Sequence, residues 1–277
     1  PGQMWETVAR LVVEKGGVMI KNAEVTDVRM ADHRIHELTY YNHSTNTKST
    51  VAGDYFISTM PIQDLISALG SAVPADVKNV SEGLPYRDSV TVGLLLNELK
   101  IKNETTIPTL NHLVPDNWIY IQERDVKVAR MQIFNNWSPY LVADIRKVWI
   151  GLEYCCNQGD ELWEKPDSDF IQFAIDELHK IAMIDKNEVI DSVIIRTPKT
   201  YPAYFGTYSR FGVIRHFTDS IENLFLIGRN GMHKYYNQDH AMLTAMTAVN
   251  NIISGETAKD NIWDINVGEE YIETEND

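Results

Sequence analysis

Cysteine is scarce in this sequence. Among 277 residues only Cys155 and Cys156 carry thiols, which excludes a disulfide framework, and no partners stand at ligand spacing to make a metal site. The two are adjacent in a stretch that reads as a strand, where successive side chains point to opposite faces. Thiols of this kind fit a reducing cytoplasm better than secretion. Long apolar runs are missing as well. The longest, Val90 to Leu96, is interrupted by Thr91 and Gly93 and falls far short of the roughly 18 residues that span a bilayer. Basic charge is low, with 25 Lys plus Arg against 39 Asp plus Glu and a net charge of −14. That balance argues against a general nucleic-acid binder and disfavours anionic membrane surfaces. The opening residues, Pro1-Gly2-Gln3-Met4-Trp5, hold neither an initiator methionine nor the basic and apolar regions of a signal peptide, so the chain is expected to begin inside a longer reading frame.

What is present is ordinary globular material, 44% apolar and 23% charged, enough for one large domain or two smaller ones. Met4, Trp5, Val8, Leu11 and Val12 recur at helical spacing, and Gly16-Gly17 stops that helix. Val18 to Ile20, Glu24 to Met30, Arg34 to Tyr41 and Thr50 to Ala52 read as short strands, with a hairpin turn at His43 to Thr47. Tyr55 to Met60 reads as a strand before a helix begun by Pro61. Arg87 to Asn97, Trp118 to Gln122, Lys127 to Asn135 and Lys147 to Cys156 predict a mainly antiparallel sheet. Pro166 to Asp169 is expected to cap an amphipathic helix through Ile181, followed by a strand Val189 to Ile195. An aromatic loop from Tyr201 to Phe211, a helix near Val213 to Ile221, a strand Asn223 to Gly228 and a helix from Asp239 to Ser254 complete an α+β body. Seven acidic residues and no Lys or Arg lie between Asp260 and Asp277, which predicts a solvated acidic tail.

The most informative stretch runs from Asn223 to Met242. A buried strand ends at Gly228, a loop rich in glycine, amide and cationic groups follows, and a helix opens at Asn237, Gln238 or Asp239. Such a turn lets backbone N–H groups and the positive helix end face an anion or an electron-rich ring. Read from the residues alone, Gly-x-x-Gly after a strand is either a ligand loop or a tight turn.

Gly228-Arg229-Asn230-Gly231-Met232-His233-Lys234-Tyr235-Tyr236-Asn237-Gln238-Asp239-His240 resembles the C-terminal flavin-contacting segment of the FAD proteins with two dinucleotide-binding domains. That group holds UDP-galactopyranose mutases, protoporphyrinogen oxidases and amine oxidases. Gly2-Gln3-Met4 with the Gly16-Gly17 stop and the strand through Val25 resembles the group's passage by the adenine end of FAD. Tyr55 to Pro61 resembles its exit from the substrate-domain hairpin, and Tyr201-Pro202-Ala203-Tyr204 its approach to the last cofactor strand. The group's Gly-x-Gly-x-x-Gly fingerprint appears nowhere among the fifteen glycines, so the N-terminal Rossmann half is expected to lie before Pro1. The resemblance implies a helix and hairpin segment over 1–60 that completes the FAD domain and a substrate-binding domain over 61–222. It further implies the C-terminal FAD-domain strand and helix over 223–260 and an acidic tail over 261–277.

The resemblance also implies FAD as the cofactor of the full-length protein, with little or none retained by these residues alone. Gly228 and Arg229 are carried over to the pyrophosphate and ribityl side, Asn237, Gln238 and Asp239 to the helix that faces the flavin, and Val25 to the adenosine part. For Asp239 a plain helix cap and a ribityl contact both stand open. Arg130, Asn136, Trp137, Tyr201, Tyr204 and Tyr208 are the substrate candidates, because aromatic rings with interleaved arginines suit a planar or anionic small molecule such as a nucleotide diphosphate. His233 and His240 flank the loop, yet no carboxylate or nucleophile completes a triad. The implied function is that of an FAD-dependent oxidoreductase similar to protoporphyrinogen oxidases or amine oxidases. The run Lys234-Tyr235-Tyr236 beside Arg229 resembles the mutases more than the amine oxidases, which keeps a flavin-dependent isomerase of a nucleotide sugar open. A non-catalytic α+β binding module is the third reading.

Overall fold

The computed structural model describes residues Gly2 to Asn266. The chain divides into two compact units, one formed by the residues up to Pro85 together with those from Ala203 onward, the other by Tyr86–Pro202. In the first unit, helix α1 (Gly2–Glu14) ends at Gly16, whose φ of +88° is the left-handed conformation that glycine adopts without strain. No residue of α1 is buried. Val18 to Ile20, expected to be a strand, is irregular and exposed, since no neighbouring strand among the described residues pairs with it. Strands β1 (Ala23–Ala31), β2 (Arg34–Asn42) and β3 (Thr47–Ala52) form an antiparallel meander. The Asn42 side chain accepts from the N–H groups of Ser44 and Thr45 and shapes the turn between β2 and β3. Strand β4 (Phe56–Ser58), helix α2 (Ile62–Ala68) and helix α3 (Ala75–Glu82) follow.

The second unit is a five-stranded antiparallel sheet. Its strands are β5 (Tyr86–Leu96), β6 (Trp118–Tyr120), β7 (Arg130–Ile133), β8 (Val148–Cys156) and β9 (Val189–Pro202), in the order β6-β7-β8-β5-β9. The short helices α4 (Phe134–Trp137) and α5 (Glu161–Glu164) and the long helix α6 (Asp167–Lys180) lie between them. Alternation along the strands decides the two faces. Val90, Val92, Leu94, Leu152 and Tyr154 form one core with Phe170, Ala174 and Leu178 of α6, all fully buried. The opposite face carries Thr91, Gly93, Gln132, Gly151, Glu153 and Arg130. As the alternation requires, Cys155 is exposed and Cys156 buried. The expected side-chain cap of α6 is absent: Pro166 occupies the N-cap position, and Asp167 and Asp169 sit in the first turn, where the helix dipole favours them.

The chain then returns to the first unit through α7 (Gly212–Asp219), β10 (Leu224–Leu226), α8 (Gly228–Gly231), α9 (Gln238–Ser254) and α10 (Asp260–Trp263). Strand β10 pairs in parallel with β4, Leu224 opposite Phe56 and Leu226 opposite Ser58. The buried Asn223 side chain bonds both the N–H and the C=O of Ile35 and also the carbonyl of Asp54, fastening β10 to the meander. Ile62, Leu65, Val80, Ile214, Phe225 and Met232 belong to the core of this unit. The expected tail begins differently: Ile262 and Trp263 are buried in that core, because an indole and a branched side chain gain by leaving water. Residues 267–277 of the expected tail lie outside the described residues.

Candidate functional site

In the first unit, β10 leads directly into the loop of α8. Gly228 has a φ of +71°, and its N–H donates to Thr244 Oγ1 at 3.0 Å. Gly231 lies so close to β4 that a Cβ there would stand 2.6 Å from the Ser58 carbonyl oxygen. These glycines let the loop turn tightly over the end of the parallel strand pair. The Arg229 Nε donates to the Tyr236 carbonyl at 2.8 Å, and its guanidinium lies 4.7 Å from the centre of the Tyr235 ring. Helix α9 then opens at an exposed end where Asn237, the N-cap residue, makes no capping hydrogen bond with its side chain. Asp239 is therefore not the cap. It is exposed in the first turn, one position into the helix, with His240 Nδ1 at 3.5 Å. Helix α9 starts at Gln238, within the expected span of Asn237 to Asp239, which places Asp239 past the cap position.

The aromatic loop packs on this turn within the same unit. The Tyr204 hydroxyl accepts from the Tyr235 N–H, and burial pushes it up to about 12. His233 is fully buried beside Tyr204, Tyr208 and Phe211, its Nε2 lies 3.0 Å from the Ala203 carbonyl, and burial pushes its pKa down to about 4. A neutral imidazole that donates to Ala203 satisfies both observations. Val25 lines a cavity of 380 Å³ with Val28, Ile35, Tyr55, Ser58 and Thr59, between the meander and the end of β4.

The second unit presents a different surface. On the open face of its sheet, the register sets Arg130 opposite both Tyr120 and Glu153. The Arg130 guanidinium donates to the Glu153 carboxylate and to the Tyr201 hydroxyl, and Gln132 donates to the other carboxylate oxygen. It stands 4.7 Å from the Trp118 ring centre, 5.9 Å from Tyr120 and 5.8 Å from Tyr201. Burial lowers the affinity of this guanidinium for its proton, but Glu153 and Tyr201 more than offset that and hold it above its usual value. The outcome is a charge-neutralised cation ringed by three aromatic side chains, two of which, Trp118 and Tyr120, are exposed.

The structure thus brings Arg130 and Tyr201 together in one unit and Tyr204 and Tyr208 together in the other. Trp137 is exposed with its ring edge-on to Trp118. Asn136 has a structural task, since its amide donates to the carbonyls of Val114 and Asp116 ahead of β6. Sequence reasoning missed Trp118, Tyr120, Gln132 and Glu153. The spacing Trp-x-Tyr on a strand was the available signal, because it sets both rings on one face.

No family model and no curated protein matches the sequence. Solved structures do. A reduced UDP-galactopyranose mutase superposes with a TM-score of 0.69 at 18% identity over 91% of this chain and 51% of the other. The chain shares the fold of the half that it covers. A candidate protoporphyrinogen oxidase from Exiguobacterium sp. 255-15 matches with a TM-score of 0.57, 15% identity and coverage of 84% and 47%. An oxidoreductase from Methanosarcina mazei matches with 0.52, 13%, 82% and 48%. The chain spans about half the length of each solved structure it matches. At the level of fold, these structures agree with the resemblance to the FAD proteins stated from the sequence.

Proposed function

We propose that this chain is the substrate-binding part, together with the flavin-facing strand and helix, of an FAD-dependent oxidoreductase related to protoporphyrinogen oxidases and amine oxidases. The observation that carries this reading is the turn from β10 to α9: a left-handed Gly228 after a buried parallel strand, Arg229 beside it, and an exposed helix end that its own N-cap side chain leaves open. A long helix of this kind offers N–H groups and a positive dipole end to an electron-rich ring. In this reading Asn237, Gln238 and Asp239 face the flavin, Gly228 and Arg229 the pyrophosphate and ribityl side, and Val25 the adenosine part through the cavity it lines. Bound FAD supplies the electron sink, while the chain contributes orientation, exclusion of water and electrostatics.

The pyrophosphate-binding half is a Rossmann unit with the glycine fingerprint that this sequence lacks. Two exposed apolar faces support its docking here. Helix α1 leaves Met4, Trp5, Val8, Leu11 and Val12 in solvent, and α9 leaves Met242, Leu243, Met246, Val249 and Ile253. Apolar surface of that extent is a mark of contact with another body.

A second reading is a flavin-dependent mutase acting on a nucleotide sugar. The surface around Arg130 favours it, since Trp118, Tyr120 and Tyr201 offer π-faces to a nucleobase. The test is to purify the protein from its complete gene. A yellow preparation with a flavin absorption band supports FAD, and a colourless one leaves the non-catalytic module. Turnover of a UDP-sugar only after dithionite reduction would select the mutase. Arg229→Ala should weaken FAD retention more than Arg146→Ala, because Arg146 is exposed and pairs with Asp144 in a polar turn. Equal retention removes Arg229 from the cofactor site. The 277-residue chain alone should purify folded with little or no FAD, and stoichiometric flavin would contradict the need for the Rossmann half.

A further inference from the structure

The segment after α9 holds the Arg229 loop from behind. Lys234 Nζ donates to the Trp263 carbonyl, and the Tyr236 hydroxyl donates to the Ile265 carbonyl at 2.7 Å. Tyr236 is 2% exposed, and its own carbonyl accepts from Arg229 Nε. The segment is in turn fixed to the C-terminal end of α7. Trp263 Nε1 donates to Asp219 Oδ1 at 3.1 Å, Arg215 pairs with both Asp219 and Asp260, and Lys259 Nζ donates to the carbonyls of Asp219 and Ile221 at 3.1 and 2.7 Å. Hydrogen bonds at Trp263 and Ile265, joined by the backbone between those two residues, therefore link Asp219 to Tyr236 and Arg229.

We infer that residues Lys259 to Ile265 form a strap that sets the position of Arg229 through Tyr236, with Tyr236 and Trp263 as positioning residues. The strap is built from backbone carbonyls on one side and long donors on the other. Deleting one donor should therefore loosen the loop without emptying the core. That the loop serves a cofactor rests on the function proposed above; that the strap orders the loop does not.

The discriminating variant is Tyr236→Phe, which keeps the ring and removes only the hydroxyl. Hydrogen–deuterium exchange on the 277-residue chain should accelerate at least tenfold across Arg229 to Tyr236 and less than twofold across Val90 to Leu96. No acceleration, or equal acceleration in both segments, overturns the strap. Trp263→Phe, which loses the indole donor to Asp219 and keeps an aromatic ring, should give the same localised pattern. FAD titration of the protein from the complete gene then reads the second step, with an expected tenfold rise in Kd for Tyr236→Phe. Faster loop exchange with an unchanged Kd removes the link to Arg229. If the unaltered protein takes up no FAD at all, the flavin reading falls and the exchange result still decides the strap.

Discussion

At the scale of single residues, the contrast between Arg130 and His233 shows two ways of keeping a titratable group under cover. Arg130 keeps its charge because Glu153 faces it across the sheet, with both side chains little exposed. Removing one partner strands the other. Glu153→Gln is therefore expected to cost about 3 kcal/mol in urea unfolding, whereas replacing both Arg130 and Glu153 by Leu should cost far less. His233 instead gives up its proton. Its folded pKa of about 4 lies below the ordinary 6.5, so as pH falls from 6.5 toward 4 the unfolded chain binds a proton that the folded chain refuses. The stability that His233 contributes is complete above pH 6.5 and declines through that window by about 3 kcal/mol. Urea midpoints between pH 7 and pH 4 should fall less steeply in His233→Gln than in the unaltered chain; parallel curves would remove the effect. Arg130 was legible in the sequence as a cation among aromatics, but Glu153 was not. The two lie far apart in the chain and meet only through the pairing of β7 with β8, which local pattern does not encode.

Among the elements, those with long periodic patterns were legible: α1, α6, α9, the meander and the strands of the sheet other than β9 stand within a few residues of their expected places. Helix α3 was not read, because only Val77 and Val80 mark its buried side and Pro74 precedes it without a capping side chain. Strand β9 runs on to Pro202 rather than stopping near Ile195, since it pairs with β5 over nearly its whole length. Helix α9 opens at Gln238, one of the three expected positions, and this takes Asp239 out of the cap position. With Asp239 in the first turn and exposed, its contribution is a charge beside the helix dipole and not a cap. Asp239→Asn and Asp239→Ala should both lower stability by about 0.5 kcal/mol. A loss near 1 kcal/mol confined to the Ala variant, read from thermal melts, would restore the cap.

For the molecule as a whole, the amount of apolar surface left in water is the dominant fact. Because no residue of α1 is buried, exchanging Val8 and Leu11 for Ser should change the stability of the 277-residue chain by less than about 1 kcal/mol. The same exchange should suppress self-association in sedimentation velocity, where an unaltered distribution would show that α1 is not the adhesive face. Composition and charge gave no hint of this surface. They count apolar residues without saying which of them find a neighbour.

The arrangement of the chain also bears on how it comes to fold. Strand β4 closes its parallel pair with β10, and the two are separated by the entire second unit. The Ala203 N–H donates to the Pro85 carbonyl at 3.1 Å, which joins the first unit across that interruption. Contacts of such high contact order form slowly, since the loop must close before its pairing is rewarded. The sheet of the second unit is contiguous in sequence and has no such delay. Refolding should accordingly show two phases, with Trp149 in β8 acquiring its native fluorescence before Trp263. A newly made chain would carry an unfinished first unit, α1 included, until translation has passed β10, and that interval is when its exposed faces are most open to mispairing.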